Sequence, residues 1–226
     1  MKENEYTEGI FNETLPDAEN VFCSMLHYRQ FMMMYESAIK IVTMRLELLK
    51  KECETLDIHC PIRNITSRIK EPLSITAKLK KKQKELSVWS VIKNLNDVAG
   101  IRVICQYIND IYKIKDILST DEKIKILKVR DYIKHPKGNG YRSLHLICEL
   151  EVPFSTGVQN IKCEIQLRTT AMDSWASLEH NMRYKKDVPT NAEINSNLKR
   201  CADMLYETDV IMQETARQIG VFDKLH

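Results

Sequence analysis

The sequence predicts an α/β fold with long helices at both ends of the chain. Three patterns lead to this prediction: a helical apolar stripe near the N-terminus, short β-branched runs in the middle, and a second helical stripe near the C-terminus. The 226 residues, 43% of them hydrophobic, suffice for one generous domain with helical extensions. We expect a globular protein.

The N-terminal stripe predicts one long helix within residues 21–60. From Met25 onward, apolar residues recur at alternating intervals of three and four, with no Pro or Gly among them. They occupy positions 32, 35, 39, 42, 46, 49, 53 and 56. Such a stripe usually packs on the helix's own domain, but a subunit interface uses the same pattern, and both can hold. The acidic residues 1–20 before it are expected to be flexible.

The central elements follow in order from local patterns. Pro72 is placed to begin a second helix, and the run "IRVICQY" is apolar and β-branched enough for a central strand. The same criteria predict a helix over 110–118, strands over 124–133, 141–152 and 161–169, and helices near 170–184 and 191–219. This order of elements is typical of an α/β fold.

The last two strands each carry a polar face. Apolar residues alternate along 161–169, so Lys162, Glu164, Gln166 and Arg168 share the other face. The same alternation places Tyr141, Ser143 and His145 together. If both faces lie on one side of the sheet, they form a floor suited to a phosphate-bearing ligand with a flat base.

Composition narrows the classes of function. The net charge of +3 does not by itself indicate nucleic acid, but residues 61–93 carry nine Lys or Arg against two Glu. Six glycines leave no P-loop or dinucleotide fingerprint, so side chains and metal must hold any nucleotide. Seven cysteines without a Cys-x-x-Cys pair, and no signal or membrane-length apolar run, favour a reduced cytoplasmic setting. The spacing of Cys53, His59 and Cys60 matches no common zinc pattern.

Two groups of side chains fit phosphate chemistry. Lys70, Ser74 and Lys78 are four residues apart and would share one face at the start of the second helix, where they could bind a triphosphate. Lys80 to Lys84 are as well explained by a solvated helix. Asp97 and Glu164 are the carboxylates best placed for Mg²⁺, because each lies beside or on a strand with cations nearby.

Four motifs now carry a family resemblance. "RIKEPLSITAK", "NDVAGIRVI", "KGNGYRSLHLI" and "EIQLRTTAMDSWASLEHNMRYK" occur in the order and spacing of RelA/SpoT-type alarmone synthetases. The last motif is similar to the small, single-domain members. The resemblance covers roughly residues 60–186 and implies a nucleotidyltransferase-like mixed sheet of about five strands flanked by helices. The expected domains are therefore 1–20, a helix in 21–60, a catalytic core in 61–186 and a helical extension for oligomerisation in 187–226.

The resemblance implies transfer of the β,γ-pyrophosphate of ATP to the 3′-hydroxyl of GDP or GTP, giving AMP and ppGpp or pppGpp. Asp97 and Glu164 would bind Mg²⁺, and Glu164 would assist deprotonation of the hydroxyl. Adenine would lie between Arg68 and Arg102, with Lys70, Ser74 and Lys78 on the ATP phosphates. The implied acceptor residues are Lys134, Lys137, Asn139, Tyr141, His145, Gln166 and Arg168. Further phosphate contacts would come from Arg183, Lys185 and Arg142, although strand alternation points Arg142 to the opposite face.

The sequence departs from the family at several positions. Gly138 replaces a common proline, His135 stands where Asn is frequent, and Ser174 stands where a bulkier residue is often found. A flexible loop could relax the choice among GMP, GDP and GTP. The chain has no His-Asp dipeptide, which the family's hydrolase domain requires, so synthesis without hydrolysis is expected.

Other functions remain open from the sequence. A toxin-like relative would pyrophosphorylate the 3′ end of tRNA, and a binding protein would use the lysine-rich segment for single-stranded RNA or nucleotide sensing. The terminal helices carry apolar stripes that could form an oligomer. The resemblance implies a homotetramer with an allosteric alarmone site between subunits.

Overall fold

The computed structural model of the chain describes residues 18–155, 157–184 and 192–222. The chain divides into two units, Met1–Met34 and Tyr35–His226. In the first unit the described residues form the beginning of helix α1. All strands belong to the second unit. The acidic segment 1–17 lies outside the described residues.

The described residues form six helices and five strands. In chain order the elements are α1 (Ala18–Thr55), β1 (Ile62–Ile69), α2 (Pro72–Lys81), α3 (Val88–Asn94), β2 (Ala99–Cys105), α4 (Ile108–Ser119), β3 (Ile124–Asp131), β4 (Leu144–Phe154), β5 (Gly157–Thr169), α5 (Thr170–Tyr184) and α6 (Ala192–Gln218). The long terminal helices and the helix beginning at Pro72 are confirmed.

The strands form one mixed sheet in the order β1-β2-β5-β4-β3. Strands β2 and β5 are parallel, whereas the other neighbours are antiparallel. The mixed five-stranded sheet is confirmed. Sequence patterns alone did not locate β1, because its apolar residues do not alternate: it is a largely exposed edge strand with a register shift between Ile62 and Asn64.

One face of the sheet forms the core. Ile101, Leu146 and Ile165 project from three neighbouring strands and are almost completely buried. Helix α4 packs on this sheet and buries Ile111 and Ile114 completely. Because side chains alternate along a strand, the opposite face of the same strands is left for polar residues.

The apolar stripe of α1 packs within the second unit. Tyr35, Ile39, Val42, Leu46 and Cys53 are all buried. The prediction that this stripe covers its own domain is therefore confirmed for these residues. Helix α1 leaves Met44 and Leu48 exposed in this unit, and Leu56, the last position of the stripe, is exposed just beyond the end of the helix.

Helix α6 is attached to the sheet and to α5 by specific hydrogen bonds. The Trp175 indole N–H donates to the Leu198 carbonyl at 2.9 Å, and the Thr169 hydroxyl donates to Asp209 Oδ2 at 2.5 Å. The Asn109 amide donates to Gln213 Oε1 at 2.7 Å. The C-terminal helix therefore supports the end of β5, in addition to any role in oligomerisation. No helix in the described part of the chain is long and apolar enough to cross a membrane.

Asp209 makes stability depend on pH. Burial raises the pKa of Asp209 from 3.8 to about 6, despite the hydrogen bond from Thr169. A carboxyl with a raised folded-state pKa holds its proton more tightly in the folded state. The stabilisation is therefore lost as the pH rises from 3.8 through about 6. We expect Asp209→Asn to raise the free energy of unfolding by ~1 kcal/mol at pH 8 and by less at pH 4.5, measured by urea denaturation.

Asp203 on the same helix is a control whose pKa is shifted in the opposite direction. Hydrogen bonds from Lys199 and Arg142, opposed by some burial, lower the pKa of Asp203. Its charge is therefore favourable in the folded state, and Asp203→Asn should reduce stability at pH 8. Equal effects of the two substitutions at pH 8 would contradict this assignment.

Candidate active site

The polar face of the sheet is centred on β5. Glu164 lies opposite Gly100 of β2 and Ile147 of β4, and Gln166 lies opposite Arg102 and His145. The polar rows of the last two strands thus lie on the same side of the sheet, as predicted. Tyr141 precedes β4 but still reaches this face, because its hydroxyl lies 2.8 Å from His145 Nε2.

A polar cavity of about 220 Å³ lies over β1, β2 and β5. Its lining includes both candidate metal ligands and both candidate adenine-binding arginines: Thr66, Ser67, Arg68, Asp97, Gly100, Ile101, Arg102, Glu164 and Gln166. A second, more open cleft of about 510 Å³ shares Arg68 with it and is lined by Lys70, Ser74 and Lys78. The structure therefore brings together the predicted donor-side residues.

Asp97 accepts hydrogen bonds from both Lys70 and Lys78. Lys70 Nζ and Lys78 Nζ lie 2.8 and 2.6 Å from the same oxygen, Oδ2. Burial opposes ionisation, but the hydrogen bonds from the lysines prevail and lower the pKa of Asp97. This carboxylate is therefore charged at neutral pH. Its other oxygen, Oδ1, is buried without a hydrogen-bond partner.

These carboxylates fit a divalent cation. The unpartnered Oδ1 of Asp97 can accept a ligand, and Glu164 lines the same cavity. No group of three or more His, Cys, Asp or Glu in the described residues could hold a metal ion. Mg²⁺ commonly takes only one or two protein carboxylates and completes its shell with substrate phosphates and water. The donor set therefore suits a cation that arrives with a nucleotide.

Glu164 is held by hydrogen bonds on both oxygens. Oε1 lies 3.2 Å from His145 Nδ1, and Gln166 Nε2 donates to Oε2 at 2.8 Å. Burial raises the pKa of Glu164, but these bonds outweigh it, so the net shift is downward. The ionised Glu164 accepts from His145 Nδ1–H, and in the neutral imidazole of this tautomer Nε2 accepts from the Tyr141 hydroxyl.

Arg168 completes a ring of hydrogen bonds that includes Glu164, His145 and Tyr141. Its Nη2 donates to Tyr141 Oη at 2.7 Å and to Gln166 Oε1 at 3.1 Å. The ring joins Arg168, Tyr141, His145, Glu164 and Gln166, which were all predicted acceptor-side or catalytic residues. Because each member is both oriented by and orients its neighbours, the face is organised before any ligand binds.

The aromatic ring of Tyr141 is covered by cations. Lys137 Nζ lies 4.7 Å from its centroid and 4.9 Å from that of Tyr132, and the Arg168 guanidinium lies 5.2 Å from Tyr141. A base that stacks on Tyr141 would replace one of these contacts. Tyr132 was not predicted. The only indication in the sequence is that an aromatic residue stands just before the loop that contains Lys137.

The remaining predicted residues have mixed surroundings. Lys134 Nζ lies 5.4 Å from the Tyr112 ring, and Asn139 turns the loop through its contacts with the Tyr141 amide and Glu179. Arg142 points away from the polar face: it donates to Asp203 and lies 4.2 Å over the Tyr206 ring. This agrees with the alternation argument and removes Arg142 from the residues around the cavity.

The structure does not test the last two predicted phosphate contacts. Arg183 lies on α5, but its side chain is not among the described ones, and Lys185 lies outside the described residues. Sequence reasoning missed Asp173, which pairs with Arg102 and Arg168. Its position in the first turn after the polar strand could have indicated a contact with that strand's arginine.

Residues 67–188 match the family described as a region found in RelA/SpoT proteins. The GTP pyrophosphokinase YwaC of Bacillus subtilis (strain 168) is 36% identical over 195 residues, covering 86% of this chain and 93% of the relative.

Two solved structures have a similar fold. A GTP pyrophosphokinase family protein from Streptococcus pneumoniae aligns with a TM-score of 0.80 at 32% identity, covering 89% of this chain and 98% of the other. The small alarmone synthetase 1 from Bacillus subtilis, solved bound to its product pppGpp, aligns with a TM-score of 0.79 at 29% identity, covering 85% and 98%.

Gly138 and Gly140, in the loop before β4, differ in whether they can accommodate a side chain. Gly140 has φ +92°, and an added Cβ would lie 2.6 Å from Ala202 Cβ and 3.1 Å from Lys199 Cα, whereas Gly138 has nothing within 4 Å. We expect Gly140→Ala to lower the free energy of unfolding by ~2–4 kcal/mol, because it combines strain with overlap. Gly138→Ala should change it by less than ~1 kcal/mol. Thermal unfolding of both variants checks this, and similar melting temperatures would contradict it.

Proposed function

The chain belongs to the RelA/SpoT family, and on that premise we propose that it is an alarmone synthetase, a GTP diphosphokinase. It transfers the β,γ-pyrophosphate of ATP to the 3′-hydroxyl of GDP or GTP, and the products are AMP and ppGpp or pppGpp. One cavity carries this proposal. It is lined by two ionised carboxylates, Asp97 and Glu164, together with Arg68, Arg102 and Gln166.

The donor nucleotide fits the side of the cavity nearer β1 and α2. Arg68 and Arg102 offer flat guanidinium groups for adenine on two neighbouring strands. Lys70, Ser74 and Lys78 line the adjoining cleft, where the triphosphate would lie. This placement directs the β-phosphate toward Asp97 and Glu164.

The acceptor fits the side nearer β4. Its guanine would stack on Tyr141, with His145, Gln166 and Arg168 around the nucleotide and Lys134, Lys137 and Asn139 on the loop. GMP is a further candidate acceptor, because the Gly138 loop lacks the usual proline. The 3′-hydroxyl would then lie beside Glu164, the one carboxylate of the hydrogen-bonded ring.

The reaction needs positioning and charge neutralisation. The 3′-oxygen bonds to the β-phosphorus, the bond from that phosphorus to the α-phosphate oxygen breaks, and AMP leaves. Glu164 accepts the hydroxyl proton. The lowered pKa of Glu164 favours its ionised form, which can accept this proton without first losing one.

Mg²⁺ is the metal that we propose for the site. Asp97 and Glu164 would hold it, and it would supply charge stabilisation to the phosphates and lower the pKa of the attacking hydroxyl. Lys70 and Lys78 would add positive charge beside Asp97. The catalytic core would comprise residues 61–186, with no hydrolase activity, in a cytoplasmic protein.

The activity is tested directly by incubating the protein with ATP, Mg²⁺ and, in parallel, GMP, GDP or GTP. We expect AMP and a 3′-pyrophosphorylated guanine nucleotide. Glu164→Gln should lower the rate at least ~10²-fold, because it removes the base. The control Glu151→Gln alters an exposed carboxylate farther along β4 and should leave the rate unchanged. Absence of product from every acceptor would refute the proposal.

Including tRNA in the same assay separates the alternatives. Transfer of pyrophosphate to the 3′ end of tRNA, with no transfer to free GDP, would indicate a tRNA pyrophosphokinase instead. The exposed Trp89, with Lys93 over its ring, and the exposed Lys80 and Lys81 support single-stranded RNA binding as a second activity. If Glu164→Gln abolished product formation but kept RNA binding, the two activities would be separable.

The assembly proposed is a homotetramer with an allosteric site for alarmone between subunits. Exposed apolar side chains support an interface: Met44 and Leu48 on α1, and Met204, Ile211 and Met212 on α6. We expect light scattering at micromolar concentration to give the mass of four chains. We also expect added pppGpp to increase the rate of synthesis. A monomer mass would contradict the assembly.

A further inference from the structure

Asp173 contacts arginines from two different strands. It lies in the first turn of α5, and its Oδ1 is 3.0 Å from Arg168 Nη1 and 3.2 Å from Arg102 Nη1. Arg168 belongs to β5 and lies opposite Ile104, two residues beyond Arg102 on β2. A single carboxylate oxygen therefore joins two like charges on the same face of the sheet.

The arginines need such a counter-charge. Burial, followed by the charge of Arg168, lowers the pKa of Arg102, and Arg68 adds to this effect. The negative charge of Asp173 opposes this effect. Without Asp173, repulsion between the guanidinium groups would favour moving them apart, away from the positions that line the cavity.

The two arginines serve different halves of the site. Arg102 lines the cavity together with Arg68 and Asp97, on the donor side. Arg168 uses its other nitrogen, Nη2, to hold Tyr141 Oη and Gln166 Oε1 on the acceptor side. Any movement of Asp173 is thus transmitted to both halves.

Asp173 is not needed to cap its own helix. The Thr169 hydroxyl accepts from the Met172 amide at 3.1 Å and already satisfies that donor in the first turn of α5. The Asp173 side chain is three-quarters buried and is directed to the sheet. Its contacts therefore point to a role in the site rather than in helix initiation.

We propose that Asp173 is a positioning residue that fixes Arg102 and Arg168 together and thereby sets the donor and acceptor halves of the site in one arrangement. The naming of the two halves rests on the proposed function. One side chain would then affect the affinity for two different nucleotides.

The test measures binding rather than turnover. Isothermal titration with α,β-methylene-ATP and Mg²⁺, and separately with GDP, is performed on the wild type, Asp173→Ala and Asp173→Asn. We expect Asp173→Ala to weaken both nucleotides by about tenfold, because it removes charge-assisted contacts from both arginines. Asp173→Asn should lie between, since its amide oxygen can still accept.

Asp121→Ala is the matched control. Asp121 pairs with Arg45 at 2.6 Å, and neither residue lines the cavity or the adjoining cleft, so its loss removes an ion pair without touching either. Both affinities should be unchanged in this variant, whatever happens to its melting temperature. Folding of each variant is checked by circular dichroism before titration.

The outcomes separate the two proposals. If Asp173→Ala is folded and alters one affinity alone, or neither, the coupling role is refuted while synthesis of alarmone still stands. If the wild type binds both nucleotides but makes no product, the proposed function fails and the coupling is still measured. If the wild type binds neither nucleotide, both proposals fail.

Discussion

The alternation of side chains along β5 is the constraint on which the rest of this structure depends. One face of this strand carries Ile165 and Leu167 into the core, and the other carries Glu164, Gln166 and Arg168. A shift of register by one residue would bury the carboxylate and expose the core. Core packing and site geometry therefore depend on the register of the same strand, with β2 and β4 holding β5 from both sides.

The concentration of positive charge on the polar face is balanced by a few carboxylates. Asp97 compensates two lysines and Asp173 two arginines. Removing one partner from such a partly buried set costs more than the pair itself contributes, because the remaining charge loses its compensation. A polyphosphate entering the cavity offers the same kind of compensation, which is why a face of this composition suits an anionic ligand.

The sequence predicted the parts of the molecule that follow a regular period. The alternation in 161–169 placed Glu164, Gln166 and Arg168 together, and the alternation in 141–152 pointed Arg142 away. The helical spacing found α2, where Lys78 lies. It did not reveal β1, because an exposed edge strand needs no alternating apolar residues. Tyr132 and Asp173 were also missed, because their roles come from contacts between different elements. Tyr132 packs edge-on against Tyr141 and His145, and Asp173 pairs with Arg102 of β2.

The atoms left without partners indicate where a ligand belongs. In the described residues, three of the five buried side-chain atoms without a hydrogen bond belong to residues of the polar face: Asp97 Oδ1, Arg102 Nε and Arg168 Nε. The other two are Thr43 Oγ1 and Arg142 Nε. An unsatisfied buried polar group usually costs ~1–3 kcal/mol, so a fold retains several in one place only if something offsets the cost. The unsatisfied acceptor on Asp97 matches a cation, and the unsatisfied donors on the arginines match anions. A metal-bound nucleotide supplies both, so the same ligand would satisfy atoms of opposite character that the protein alone leaves unpaired.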